Sequence, residues 1–173
     1  MTRLLAFLRD QRAIAASEFA LILPFLVVLL LGTVEAGNAL LMHRKITAAT
    51  QTGADLAAQA TALDDVDIAN LFDAMDAILE PFPLGPAGYV IESVVDDGGA
   101  NVIEWVDVDG AVGGSPGDAV DIPEGLVLPG GSVIVVEVTY DYAPVFADLI
   151  LDTFTISDVA YLRPRRTVKV VRQ

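Results

Sequence analysis

The chain has 173 residues and carries 24 Asp and Glu against 10 Lys and Arg, for a formal net charge of −14. That length suits one modest globular domain, and the absence of cysteine excludes a disulfide framework, a thiol nucleophile and a thiolate metal site. The charge is sharply divided: residues 46–160 hold 21 Asp and Glu and no Lys or Arg, so the body lacks the basic face that nucleic-acid binding requires.

Arg3, Arg9 and Arg12 form a short basic leader. Residues 19–34 then carry no charge, and extending the stretch to Met42 gives 24 residues interrupted only by Glu35, or about 36 Å of helix. This predicts one membrane-spanning helix. A cleaved secretory signal would be shorter and end at an A-x-A-like site, which residues 35–39 match only loosely.

Glu18 stands at the mouth of the apolar stretch, where an ionised carboxylate costs several kcal/mol unless something compensates it. Capping of the helix start is one explanation, since the macrodipole favours a negative side chain there by about 0.3–1 kcal/mol. Pro24 removes a backbone donor, frees the carbonyl of Ala20 and favours a kink. Gly32, Ala36 and Ala39 lie close to one helical face and suit close helix contact. For Glu35 three readings stand side by side: the outer interface, pairing with His43 or Arg44, or contact with another helix. Basic residues flank the span on both sides, and the acidic body sets the orientation: N-terminus in, C-terminal domain out.

Beyond the span, Ile46, Ala49, Gly53, Leu56 and Ala60 recur at spacings of three and four, a thin stripe that continues the helix. A second, amphipathic helix follows. Asp64 or Asp65 is its N-cap, Ile68, Leu71, Phe72, Met75, Ile78 and Leu79 form its apolar face, and Pro81 lies past its end. Asp67, Asp73 and Asp76 fall on its wet face.

Period-two alternation then predicts strands over residues 89–95, 102–108, 133–142 and 154–162, with 167–171 a candidate fifth. Asp96-Asp97-Gly98-Gly99 marks a hairpin turn. Ile134, Val136, Val138, Tyr140 and Tyr142 share the face expected to meet the helix. The intervening stretch of residues 109–131, with seven glycines and three prolines, reads as a long irregular loop of the kind used for function or mobility. Asp107, Asp109, Asp118 and Asp121 cluster around it as candidate Ca²⁺ ligands. The Asp107-Val108-Asp109-Gly110 spacing nevertheless lacks the remaining positions of an EF-hand loop, which favours a solvated acidic turn.

The string Arg12-Ala13-Ile14-Ala15-Ala16-Ser17-Glu18-Phe19-Ala20-Leu21, with Leu23-Pro24 and then Leu31-Gly32-Thr33-Val34-Glu35-Ala36-Gly37, resembles the TadE-like minor pseudopilins of the tight-adherence (Flp, type IVc) pilus system. The resemblance covers about residues 9–60. It implies a prepilin peptidase cut between Ala13 and Ile14, with Glu18 as the fifth mature residue, and Ala13 stands where the family usually has Gly. In such a subunit Glu18 pairs with the ammonium freed on Ile14, its own or a neighbour's, in low dielectric. Glu35 takes part in assembly, and a break at Pro24 permits helix bending.

The fold expected is α+β. Residues 1–13 are a leader, residues 14–45 a transmembrane helix, and residues 46–173 an acidic, extracytoplasmic pilin-like domain with a second helix and an antiparallel sheet of about four strands. The implied function is assembly or initiation of an adhesive pilus from the bacterial inner membrane. The subunit is single-pass, its N-terminus is cytoplasmic and its C-terminal domain periplasmic, and incorporation in the pilus is an open alternative. Partners are the prepilin peptidase, other pilin and pseudopilin subunits, the inner-membrane assembly platform and membrane lipid, with no nucleic acid.

The alternative function is an uncleaved membrane-anchored acidic binding module, with or without dependence on calcium. An enzyme is not expected, since the one histidine, His43, lies at the membrane boundary and leaves no His-based triad or multi-histidine metal cluster. No cofactor other than that candidate Ca²⁺ is implied.

Overall fold

A computed structural model describes the backbone of residues 11–144 and 152–173, and side chains from residue 14 onward. The chain divides into two compact units, Met1–Ala39 with Pro144–Asp152, and Leu40–Ala143 with Thr153–Gln173. The architecture is mixed α+β: a long N-terminal apolar helix, a second helix and an antiparallel four-stranded sheet.

Helix α1, Gln11–Gln59, has 49 residues, or about 74 Å at 1.5 Å per residue. Its first part is apolar all round. Phe19, Leu21, Ile22, Phe25, Leu26, Leu29 and Leu30 are each about half exposed or more, the condition of a helix that needs a non-aqueous surrounding. The helix continues unbroken on both sides of Pro24.

In the second unit α1 changes character. Met42, Ile46, Ala49, Thr50, Ala54, Ala57 and Ala58 are buried, and so are Ile68, Leu71, Met75 and Leu79 of α2, Asp65–Leu79. The two helices meet at Gly53, where an added Cβ would lie 2.5 Å from Met75 Sδ. The stripe read from spacing holds for Ile46, Ala49 and Gly53 but not for Leu56, which is 41% exposed, or for the half-buried Ala60. Ala57 and Ala58 are buried beyond Gly53 in their place.

Asp64 is the N-cap of α2. Its carboxylate accepts from the Asp67 N–H at 2.8 Å, and Asp67 accepts in return from the Asp64 N–H at 3.2 Å, a reciprocal capping box. At the other end Lys45 Nζ donates to the carbonyls of Ile78 and Glu80 at 2.7 and 2.6 Å, satisfying terminal acceptors and placing a cation at the negative end of the helix.

The sheet comprises β2 (Ala87–Asp97), β3 (Ala100–Asp109), β4 (Ser132–Tyr142) and β5 (Phe154–Leu162), in the order β3-β2-β4-β5 with every pairing antiparallel. Gly98 and Gly99, both at positive φ, form the two-residue turn between β2 and β3, the backbone a type I′ hairpin demands. The sheet's inner face carries Tyr89 and Ile91 of β2 and Ile134, Val136, Val138 and Tyr140 of β4, all buried. The Phe72 and Tyr89 rings meet 5.9 Å apart, bringing α2 onto this face. The Tyr89 hydroxyl donates to Asp76, so Asp76 is drawn inward from the wet face read from its helical position.

The glycine-rich stretch between β3 and β4 is irregular, as read, but it is not a free loop. It folds over the outer face of the sheet, where Ile122 joins Val94, Val133 and Val135 in a second small core flanked by Val120, Leu126, Val127 and Tyr161. Gly113 and Gly114 fit where a Cβ would meet Val108 and Ile103 side chains at 2.6 and 2.5 Å.

The C-terminal tail gives no fifth strand over residues 167–171. Only Val171–Arg172 is extended (β6), paired in parallel with β1, Ala62–Leu63. The tail acts as a clasp. Val170 is buried and its carbonyl accepts from Trp105 Nε1 at 2.9 Å. Arg163 donates to the carbonyls of Leu126 and Gly125, and ion pairs run from Arg165 to Asp55, Lys169 to Glu104 and Arg172 to both Asp65 and Asp107. The basic end of the sequence thus closes on its acidic middle.

Candidate functional site

The Ala13–Ile14 peptide bond lies within α1. Ile14 is half exposed, and its carbonyl accepts from Ser17 Oγ at 2.8 Å. Glu18 is exposed four residues further on, about one helical turn away, so an amine freed at Ile14 would share a face with the Glu18 carboxylate. No second element of the fold is needed to set this geometry; helical spacing alone does so. The apolar band begins immediately afterwards at Phe19.

Pro24 and Gly32 lie on the exposed part of α1, with nothing within 4 Å of a Cβ added at Gly32. Glu35 differs from its neighbours. It is 5% exposed while Val34, Ala36 and Gly37 are open.

The four Asp residues considered as calcium ligands do not converge. Asp107 receives Arg172 Nε and Nη2 at 2.8 and 3.0 Å, and those hydrogen bonds, followed by that to Asp65, raise the Arg172 pKa and hold its charge. Asp118 Oδ2 accepts from the Ser115 N–H at 2.8 Å within its own turn, and Asp109 and Asp121 are exposed. No group of three or more His, Asp or Glu placed to hold a metal occurs among the described residues.

A carboxylate pair that the sequence reading passed over lies elsewhere. Glu92, in mid-β2, is buried on the outer sheet face with Glu137 of β4 near it. The signal was the alternation Val90, Glu92, Val94, which puts Glu92 between two apolar positions of one face. Burial first, and then the like charge of Glu137, raise its pKa above the ordinary 4.5.

A folded-state pKa above the unfolded one gives stability that is present below the unfolded pKa and lost as pH rises through the folded one. Glu92→Gln is therefore expected to match the parent chain in thermal unfolding near pH 4 and to exceed it increasingly toward pH 7. A gap of 1 kcal/mol corresponds to about 4 °C in Tm for a domain of this size. A constant difference across that range would contradict this assignment.

Comparison with known proteins bears on the first part of the chain. Residues 13–55 match the family model described as TadE-like protein, consistent with a TadE-like protein of the tight-adherence pilus system. No curated protein and no solved structure matches the chain. The matched segment contains Ile14, Glu18, Pro24 and Glu35 and ends inside the packed part of α1. Among the described residues one helix is long and apolar enough to cross a membrane, consistent with a membrane anchor.

Proposed function

From the premise that residues 13–55 form a TadE-like segment, we propose that this chain is a minor pseudopilin of a tight-adherence pilus, cut by a prepilin peptidase between Ala13 and Ile14 and working in pilus assembly or initiation at the inner membrane. The observation that carries the reading is the placement of Glu18 one turn after Ile14 at the edge of an exposed apolar helix. An ammonium and a carboxylate one turn apart compensate each other where neither is hydrated. In the uncut chain the Ile14 nitrogen is a neutral amide and offers no such partner.

The N-terminus is cytoplasmic and the α+β unit periplasmic in this reading, and the partners are the peptidase, other pilin subunits and the inner-membrane assembly platform. Intact mass of the membrane-extracted chain, produced with and without active peptidase, tests it. The expected product begins at Ile14, Ala13→Gly is processed at least as fast, and replacing Ala13 with Leu blocks the cut. Glu18→Ala is expected to leave cleavage in place and reduce piliation. A chain that still begins at Met1 beside an active peptidase overturns the reading.

A further inference from the structure

Glu92 lies on the outer face of the sheet, with Val90 and Val94 beside it along β2 and with Val106 and Val135 opposite it on β3 and β4. Only 8% of its surface is exposed, and among the described residues it has no hydrogen bond or ion pair. The Oγ atoms of Ser93 and Ser132 are sealed from solvent without a partner, whereas the Glu92 carboxylate still reaches the surface. Glu137, flanked by Val90 and Val159 on the neighbouring strands, is half-buried on the same face. Burying a carboxylate beside another without a cation is costly, so a ligand that neutralises the pair would be held strongly.

The chemistry of that ligand can be narrowed. No hydrogen bond joins the two carboxyl groups to each other. Two carboxylates fall short of the six to eight oxygen ligands that Ca²⁺ takes, and no third acid or histidine completes such a set among the described residues. A guanidinium, planar with five donors in a fork, can bridge two carboxylates with no further ligand.

The body of this chain offers no such group, because residues 46–160 contain no Lys or Arg. Arg163, Arg165, Lys169 and Arg172 are engaged in the clasp, and Arg166, which is exposed, is not among the charges acting on Glu92. Around the acidic pair, Val108 and Val159 remain 45% and 38% exposed on the same face, Val108 with Gly113 packed against one side of it, an apolar rim beside a charged centre.

We propose that this outer sheet face docks a protein partner that inserts an arginine or lysine between Glu92 and Glu137 and rests apolar side chains on Val108 and Val159. The inference does not depend on the cut at Ala13. It is tested in native cells with the full chain carrying the photo-crosslinker p-benzoylphenylalanine at position 159.

The expected result is a crosslink to another protein within a segment containing Arg or Lys. Its yield should fall more than about tenfold in Glu92→Gln and in Glu137→Gln, as loss of a desolvated charge pair requires. Combining Glu137→Lys with a Glu at the partner's basic position should restore it. Thermal unfolding of each variant in detergent checks the fold, and if Glu92→Gln does not fold, the half-buried Glu137→Gln carries the comparison. The proposal is overturned by the absence of any crosslink, by a crosslinked segment without a basic residue, or by yields that neither Gln variant changes. Abolition of the crosslink by EDTA overturns it also, since a metal would then hold the pair.

Discussion

Deleting residues 163–173 is expected to destabilise the α+β unit by about 5 kcal/mol or more, enough to unfold a domain of ordinary marginal stability. The deletion orphans the buried Trp105 indole N–H, whose acceptor is the Val170 carbonyl, and an unsatisfied buried donor costs about 1–3 kcal/mol. It also strips Arg172 from Asp107, a pair in which both side chains are about one-fifth exposed, and breaking a mostly buried pair costs up to about 3–5 kcal/mol. Lost burial of Val170 adds about 1.5 kcal/mol.

Trp105 is the one tryptophan in the chain, so its fluorescence in a urea titration of the detergent-solubilised protein reports this unit directly. Arg172→Ala alone is expected to lower stability by about 2–3 kcal/mol through the uncompensated Asp107. The Arg172–Asp65 contact contributes little to that figure, because Asp65 is 93% exposed. An unchanged urea midpoint after deletion would show that the clasp is ornamental.

Gly53→Leu is expected to cost about 1–3 kcal/mol, the range for overpacking a filled core. The added Cβ alone would stand 2.5 Å from Met75 Sδ and 3.2 Å from Met75 Cγ, and Met75 is fully buried. Leu56→Ala, three residues on but largely outside the contact, should change stability by less than about 1 kcal/mol. Met75→Ala added to Gly53→Leu should recover part of the loss, a coupling a double-mutant cycle reads directly. If Gly53→Leu and Leu56→Ala proved equally mild, α1 and α2 would not meet where the structure places them.

What could be read from the sequence was local. The apolar span, an N-cap at Asp64 or Asp65 and the strand alternation each depend on residues within one element, and all are present in the fold, with Asp64 as the cap. The spacing of Ile14 and Glu18 is legible for the same reason, since one helical turn relates them.

Features that depend on distant residues were hidden. Asp76 looks solvent-facing until Tyr89, thirteen residues away on another element, supplies a hydroxyl. The glycine-rich stretch shows no periodicity, so its cover over Val133 and Val135 could not be foreseen. Glu92 was passed over for a related reason: an alternating strand normally places its charges on a wet second face, whereas here that face acquires a second small core. The tail's two-residue parallel pairing is too short to leave a pattern.

The pairing of Ala62 with Val171 also bears on synthesis. A growing chain reaches β1 early but cannot complete that contact until Val171, more than a hundred residues later, has emerged, and closing so long a loop is slow. Until then the Val170 carbonyl has not arrived to receive Trp105, and the acids Asp55, Asp65, Glu104 and Asp107 have no cations from the tail. The unit therefore closes only once residues 170–172 are available, and a nascent chain stalled before residue 170 would present an open, protease-sensitive edge.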